Sequence, residues 1–249
     1  MRKIAFILGT LAIVACKEKD LTSKNPAPDP ENTSIRTSFV YDSEAYYSDT
    51  ALTNNLGQRF FIDEVVIALS DFYFQQHGDT VAYQHKPFVV ASDATDNKLI
   101  ELEPNGYTGF FGIRVGLDSA SQADVAANGL ESGSELSDYS LLRASGNGID
   151  NVIIRGRLID PQDPLDSTGS IALEYRLGLS VTSKLVKSLT KNFSIEPTSN
   201  LPIIMVVDLK PVLENLDMEA RPLVTTDPQN LVDYNLAIEM AENLEVNLF

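Results

Sequence analysis

The chain has 249 residues, of which 35 are acidic and 19 basic, for a formal net charge of −16. That balance argues against electrostatic capture of nucleic acid or of an anionic lipid surface. A hydrophobic share of 43% is that of a globular protein, and a single cysteine excludes a disulfide within the chain.

The first element is a leader. Arg2 and Lys3 precede the uncharged run IAFILGTLAIV, Ile4 to Val14. This run is too short for a bilayer core, which needs ~20 apolar residues. It has the length of a secretory h-region. Ala15 and Cys16 follow, and "IVAC" resembles the lipobox of bacterial lipoproteins, in which a small residue precedes the cysteine that carries the acyl chains. The expected boundaries are a signal peptide at 1–15, a lipidated Cys16 with an extended tether at 16–33, and one domain at 34–249. Loss of Arg2 and Lys3 takes the charge from −16 to −18. Lys17-Glu18-Lys19-Asp20 resembles the charged export signals of outer-membrane lipoproteins, on either the surface-exposed or the periplasmic face. Residues 21–34, LTSKNPAPDPENTS, have little to bury and read as the tether.

The domain is expected to be mainly β, an antiparallel β-sandwich or open barrel with a C-terminal helix. Alternation marks Ile35 to Tyr41 as a half-buried strand. Phe60 to Gln76 is a long apolar run broken at Ser70-Asp71, and Gly78-Asp79 reads as a tight hairpin turn into VAYQHKPFVV. Further strands are expected at Lys98 to Glu103, Tyr107 to Leu117, Asn151 to Ile159, Ser170 to Val181 and Leu201 to Leu209. Ser119 to Gly148, polar and rich in Gly and Ser, reads as a long insertion. Asp227 as cap and Pro228 at the first helical position open a helix whose apolar face is Leu231, Tyr234, Ile238, Ala241, Leu244 and Leu248.

Chemistry is sparse. No G-x-S-x-G elbow and no phosphate-cradling G-x-x-x-x-G-K occurs. Histidine, the commonest general base, is present only as His77 and His85. A carboxylate pair acting on sugar lacks tryptophan platforms. The chain is therefore expected not to be an enzyme, a hydrolase acting on sugar or peptide being the weakest alternative. Asp160, Asp163 and Asp166 lie in DPQDPLDSTG. Spaced carboxylates ahead of a glycine can hold Ca²⁺, although the spacing is three rather than the two of an EF-hand and two prolines intervene. The other reading is a solvated acidic loop. With Gly78 and Asp79 at the turn, His77 faces Thr80 and His85 faces Phe72. The histidines then lie ~16 Å apart along the ladder, too far to share one copper ion.

Four stretches resemble the MbnP-like family of secreted or lipid-anchored bacterial β proteins. They are FFIDEVVIALSDFYFQQHGDTV, NGYTGFFGIRVGLDS, the pair NVIIRGRL and IALEYRLG, and IIMVVDLKPVLE with the closing AIEMAENLEVNLF. The resemblance spans roughly Ser34 to Phe249 and implies a β-rich, envelope-located domain. Better-known members bind copper through histidines and a tryptophan oxidised to kynurenine, aided by a dihaem peroxidase-like partner. This chain departs at those points. Leu136 to Asp150 has no counterpart of the tryptophan segment, and Arg176 stands where the family often has histidine before Leu-Gly. The implied function is a lipid-anchored, non-catalytic binding or accessory protein, its partner unspecified apart from the membrane. A lipoprotein handling calcium or copper is the alternative.

Overall fold

The computed structural model describes residues 32–76, 79–83, 87–92, 98–101, 105–107, 111–131, 133–143, 146–163, 166–187, 193–195 and 203–248. The leader, Cys16, the tether up to Glu31, His77 and His85 lie outside these residues; Asn32 and Thr33, expected in the tether, belong to the first strand instead. In chain order the elements are β1 (Asn32–Tyr41), β2 (Glu44–Ala45), β3 (Leu52–Thr53), β4 (Arg59–Gln76), β5 (Asp79–Tyr83), β6 (Phe88–Ala91), β7 (Lys98–Glu101), β8 (Asn105–Tyr107) and β9 (Phe111–Val115). Helices α1 (Ser119–Asn128) and α2 (Glu135–Asp138) come next, then β10 (Asp150–Leu158) and β11 (Ile171–Gly178). A 3-10 turn at Ser180–Thr182 leads to β12 (Lys184–Lys187), β13 (Phe193–Ile195) and β14 (Ile203–Asp208). The chain closes with α3 (Lys210–Leu213), β15 (Leu223–Thr225), α4 (Leu231–Asn243) and β16 (Glu245–Leu248).

The domain is mainly β with a C-terminal helix, as expected. One sheet runs β16-β14-β1-β2, with β7 also on β1. The larger runs β12-β9-β4-β10-β11-β15, with β3, β6 and β5 also paired to β4. Pairing is mixed rather than purely antiparallel, because β1–β14 and β11–β15 are parallel.

The apolar run in β4 explains the architecture. Residues 65–70 are all buried, which a half-buried strand forbids. Both faces of β4 are covered. Val65, Ile67 and Leu69 point into the main core with Phe39, Met205, Val207 and Tyr175. Val66 and Ala68 point the other way, into a second core with Leu117, Leu136, Leu141, Ile149 and Ile153. Full burial of such side chains contributes roughly 1.5–3 kcal/mol each. The second core is roofed by the 119–148 insertion, which is therefore a structural cover as well as a connection. The break at Ser70-Asp71 is a β-bulge: the register shifts between Ser70 and Phe72, and Asp71 takes φ 49°. Asp71 is held there by Arg114 at 2.8 Å. Ser70 Oγ donates to the Gly116 carbonyl at 2.6 Å.

Two expected boundaries are corrected. The hairpin ladder closes at Gln76↔Asp79, with Phe72 opposite Tyr83, so the connection is 77–78 rather than Gly78-Asp79. His77 and His85, whose spacing was argued from that turn, lie outside the described residues. At the C-terminus, Asn230 caps α4, its side chain accepting from the Asp233 N–H, and the helix ends at Asn243. Its buried positions are Ala237, Met240 and Ala241, while Leu231 is exposed. Residues 245–248 pair with β14 instead of extending the helix. Lys184 donates to the Leu244 carbonyl at the helix end, where a cation suits the dipole.

Candidate functional site

Outward-facing charges line up across the larger sheet. Glu64 on β4, Arg155 on β10 and Glu174 on β11 are cross-strand neighbours. Arg155 pairs with Glu64, and its Nε lies 3.1 Å from Glu174. Arg176, two residues along β11 on the same face, continues the row with Nη2 2.9 Å from Glu174. Its Nη1 donates to Asp150 at 3.0 Å. Arg143 completes the row, Nη1 lying 3.5 Å from the other Asp150 oxygen.

The row ends in a cleft of about 890 Å³. One wall is the segment around Ser140 and Leu142. The opposite wall is the Asp227–Gln229 approach to α4. Arg143 bridges the two, donating through Nη2 to the Thr226 carbonyl at 2.5 Å. Thr226 is fully buried and accepts from the Gly178 N–H at 2.7 Å. Gly178 leaves room for the pair, because a Cβ would meet Arg143 Nη1 and Asp150 Oδ1, each at 2.5 Å, and both side chains would have to shift. Two non-glycine residues of the lining, Ser140 and Leu179, hold left-handed backbone at φ 56° and 64°. Such strain costs on the order of 1–3 kcal/mol each and concentrates at functional sites.

The electrostatics favour a fixed polar floor. Asp150 is 4% exposed, and burial pushes its carboxyl up, opposed by the Arg176 hydrogen bond and the Arg143 charge. Burial acts on Glu174 in the same sense, but the hydrogen bonds from Arg176 and Arg155 outweigh it and hold that carboxyl down. Among the described residues the buried Arg143 Nε and Nη1 have no hydrogen-bond acceptor, although Nη1 has the Asp150 charge 3.5 Å away. A buried donor without a partner costs roughly 1–3 kcal/mol. Arg143 and Asp150 were not singled out by motif. The available signal was an acid and an amide, Asp150-Asn151, directly ahead of the apolar run Val152 to Ile154. Arg176 stood out only where histidine was expected.

The acidic loop has a different organisation from the one expected of a Ca²⁺ site. Asp166 accepts from the N–H groups of Asp160, Thr168, Gly169 and Ser170 at 2.8–3.1 Å. Its lone pairs are spent on the backbone. Asp160 accepts from the Gln162 N–H. Among the described residues no three His, Cys, Asp or Glu side chains are grouped to hold a metal ion, so Asp160, Asp163 and Asp166 are not brought together. The Asp160 N–H and the other backbone donors hold the Asp166 carboxyl well below the usual carboxylate range. Its contribution to the loop is present above the unfolded value of ~3.9 and is lost only as pH falls through the lower folded value. The Asp166 carboxyl ¹³C shift should stay flat from neutral pH down to ~3.9, where exposed aspartates are half titrated. A half-complete titration at that point would contradict this account of the loop. Millimolar Ca²⁺ should leave the melting temperature unchanged.

No protein-family model matches the chain, and no curated protein matches it. Among solved structures it is distantly similar to MbnP from Methylosinus trichosporium, at 13% identity and a TM-score of 0.46, over 75% of this chain and 78% of that one.

Proposed function

We propose that this chain is a non-catalytic binding or accessory protein, held at the cell envelope by acyl chains on Cys16, with the Arg143–Asp150–Arg176 cleft as its ligand site. The observation that carries the site is the convergence of Arg143, Asp150 and Arg176 in the lining of a cleft large enough for a small molecule. A small polar ligand rich in acceptor oxygens suits the two guanidiniums. Asp150 serves as a counter-ion: guanidiniums face both of its oxygens, which leaves it ill suited as a base or nucleophile. The anchor rests on the uncharged run that ends in Ala15-Cys16.

The site is tested by thermal shift against a panel of small carboxylates, amino acids and sugars. At a hundred times Kd a ligand adds about 2.7 kcal/mol, roughly 5–10 °C for a chain of this size. Asn147→Trp and Gln229→Trp, both at exposed positions of the cleft lining, should abolish the shift. A shift that survives both places the ligand elsewhere. The anchor is tested separately. Cys16→Ser should move the protein from the membrane fraction to the soluble fraction, since stable anchoring takes more than one acyl chain or signal. Unchanged sedimentation with membranes would sink the anchor reading.

A further inference from the structure

A second concavity, of about 680 Å³, lies where α1 and α2 meet the start of β6. Phe88, Leu117 and Leu136 form its floor, and Val125 and Leu130, both half-buried, form its flank. Asp124, Glu131 and Glu135 stand in its lining, Glu135 also accepting from the Val89 N–H at 3.0 Å. Helix α1 buries only Gln122. A ten-residue helix is marginal by its own propensity and normally relies on a packed apolar face. Here Asp118, accepting from the Ser121 N–H at 2.7 Å, and the Gln122 amide hold the helix. Much of its groove-side surface is left uncovered.

Charge identifies the occupant. The 28 residues between Arg114 and Arg143 contain Asp118, Asp124, Glu131, Glu135 and Asp138 and no Lys, Arg or His. No described residue lining the groove is basic. We propose that this groove docks a cationic amphipathic segment of a partner protein, with apolar side chains on the half-buried Phe88, Val125 and Leu130 and Lys or Arg toward the carboxylates. A second copy of this chain is disfavoured by its own charge of −16.

The test uses the full mature chain carrying Cys16→Ser, so that no detergent competes. The probe is a fluorescent synthetic peptide of Lys and Leu at i, i+3, i+4 spacing, beside an analogue with Ser for Leu. Anisotropy should show binding of the Leu peptide only. The exposed pair Asp124→Lys, Glu131→Lys should weaken it about tenfold, with circular dichroism unchanged. The equal charge change Glu239→Lys, Glu242→Lys on the exposed face of α4 should leave it intact. Equal weakening by both pairs, equal binding of the Ser analogue, or no binding at all would overturn the proposal. So would sedimentation showing a dimer that the Asp124→Lys, Glu131→Lys pair disrupts, because the occupant would then be a second copy.

Discussion

Gly156→Ala should lower stability by about 3 kcal/mol or more, the upper end of what overpacking a core costs. A Cβ at Gly156 would be driven into the Phe61 carbonyl oxygen, with Phe61 C and Ile62 Cα at 3.3 and 3.4 Å. All three are backbone atoms of β4, so no side chain can turn aside. Position 156 lies where β10 passes a bulge in β4: Arg155 pairs with Glu64 and Gly156 with Ile62, leaving Asp63 as the extra residue. The two central strands would have to separate. Denaturant unfolding checks this, with Gly57→Ala as the comparison. Gly57 has φ +78° and open space around it, so its substitution costs only the left-handed penalty, about 1–2 kcal/mol. Equal losses at the two positions would mean that the close approach of β10 to β4 is not the constraint.

Asn151→Leu should cost on the order of 3–5 kcal/mol, because it removes four buried hydrogen bonds at once. Asn151 is fully buried and uses its whole amide. Its oxygen accepts from the Leu117 N–H at 3.2 Å and the Gln122 amide at 2.9 Å. Its nitrogen donates to the Leu179 carbonyl at 2.7 Å and to Thr182 Oγ1 at 2.9 Å. One side chain thus ties β10 to the insertion helix and to the 3-10 turn after β11. Gly116 is needed beside it, since any Cβ there would collide with the Asn151 amide. Leucine matches the size and leaves each of the four partner groups one hydrogen bond short. The melting temperature should fall by roughly 6–20 °C, at 2–4 °C per kcal/mol for a chain of this length. A loss under about 1 kcal/mol would show that water reaches these groups and that the insertion is only loosely attached.

The strands that were legible are those with a clear period or a long apolar run. Ile35 to Tyr41 alternates because only one face meets the core, with Phe39 and Tyr41 buried. Asn151 to Ile159 and Leu201 to Leu209 stood out in the same way. Harder to read were short elements and distant pairings. β15 is three residues between Pro222 and Thr226, held as a parallel neighbour of β11. No local pattern announces a pairing across some fifty residues. The insertion read as polar because α1 is exposed on most sides, although Leu136 and Leu141 belong to the second core. The continuous run Val65 to Leu69 was the hint that something covered the outer face of β4.

The cleft was the least legible feature. Its residues come from 140–150, 176–179 and 225–229, three segments that fall together only once β10, β11 and β15 are side by side. Asp150 opens β10, and Arg143 stands in the segment before it. Their chemistry depends on burial beside each other. The aspartate triplet was visible, but its spacing cannot reveal that the Asp166 oxygens go to backbone N–H groups.

Ligand occupancy of the cleft is tested most directly by native mass spectrometry of the protein, purified without dialysis from the cells that make it. One small polar molecule per chain is expected on the wild type and none on Asn147→Trp. A bare wild-type chain, or the same bound mass on the variant, would contradict the assignment of the Arg143–Asp150–Arg176 cleft as a ligand site.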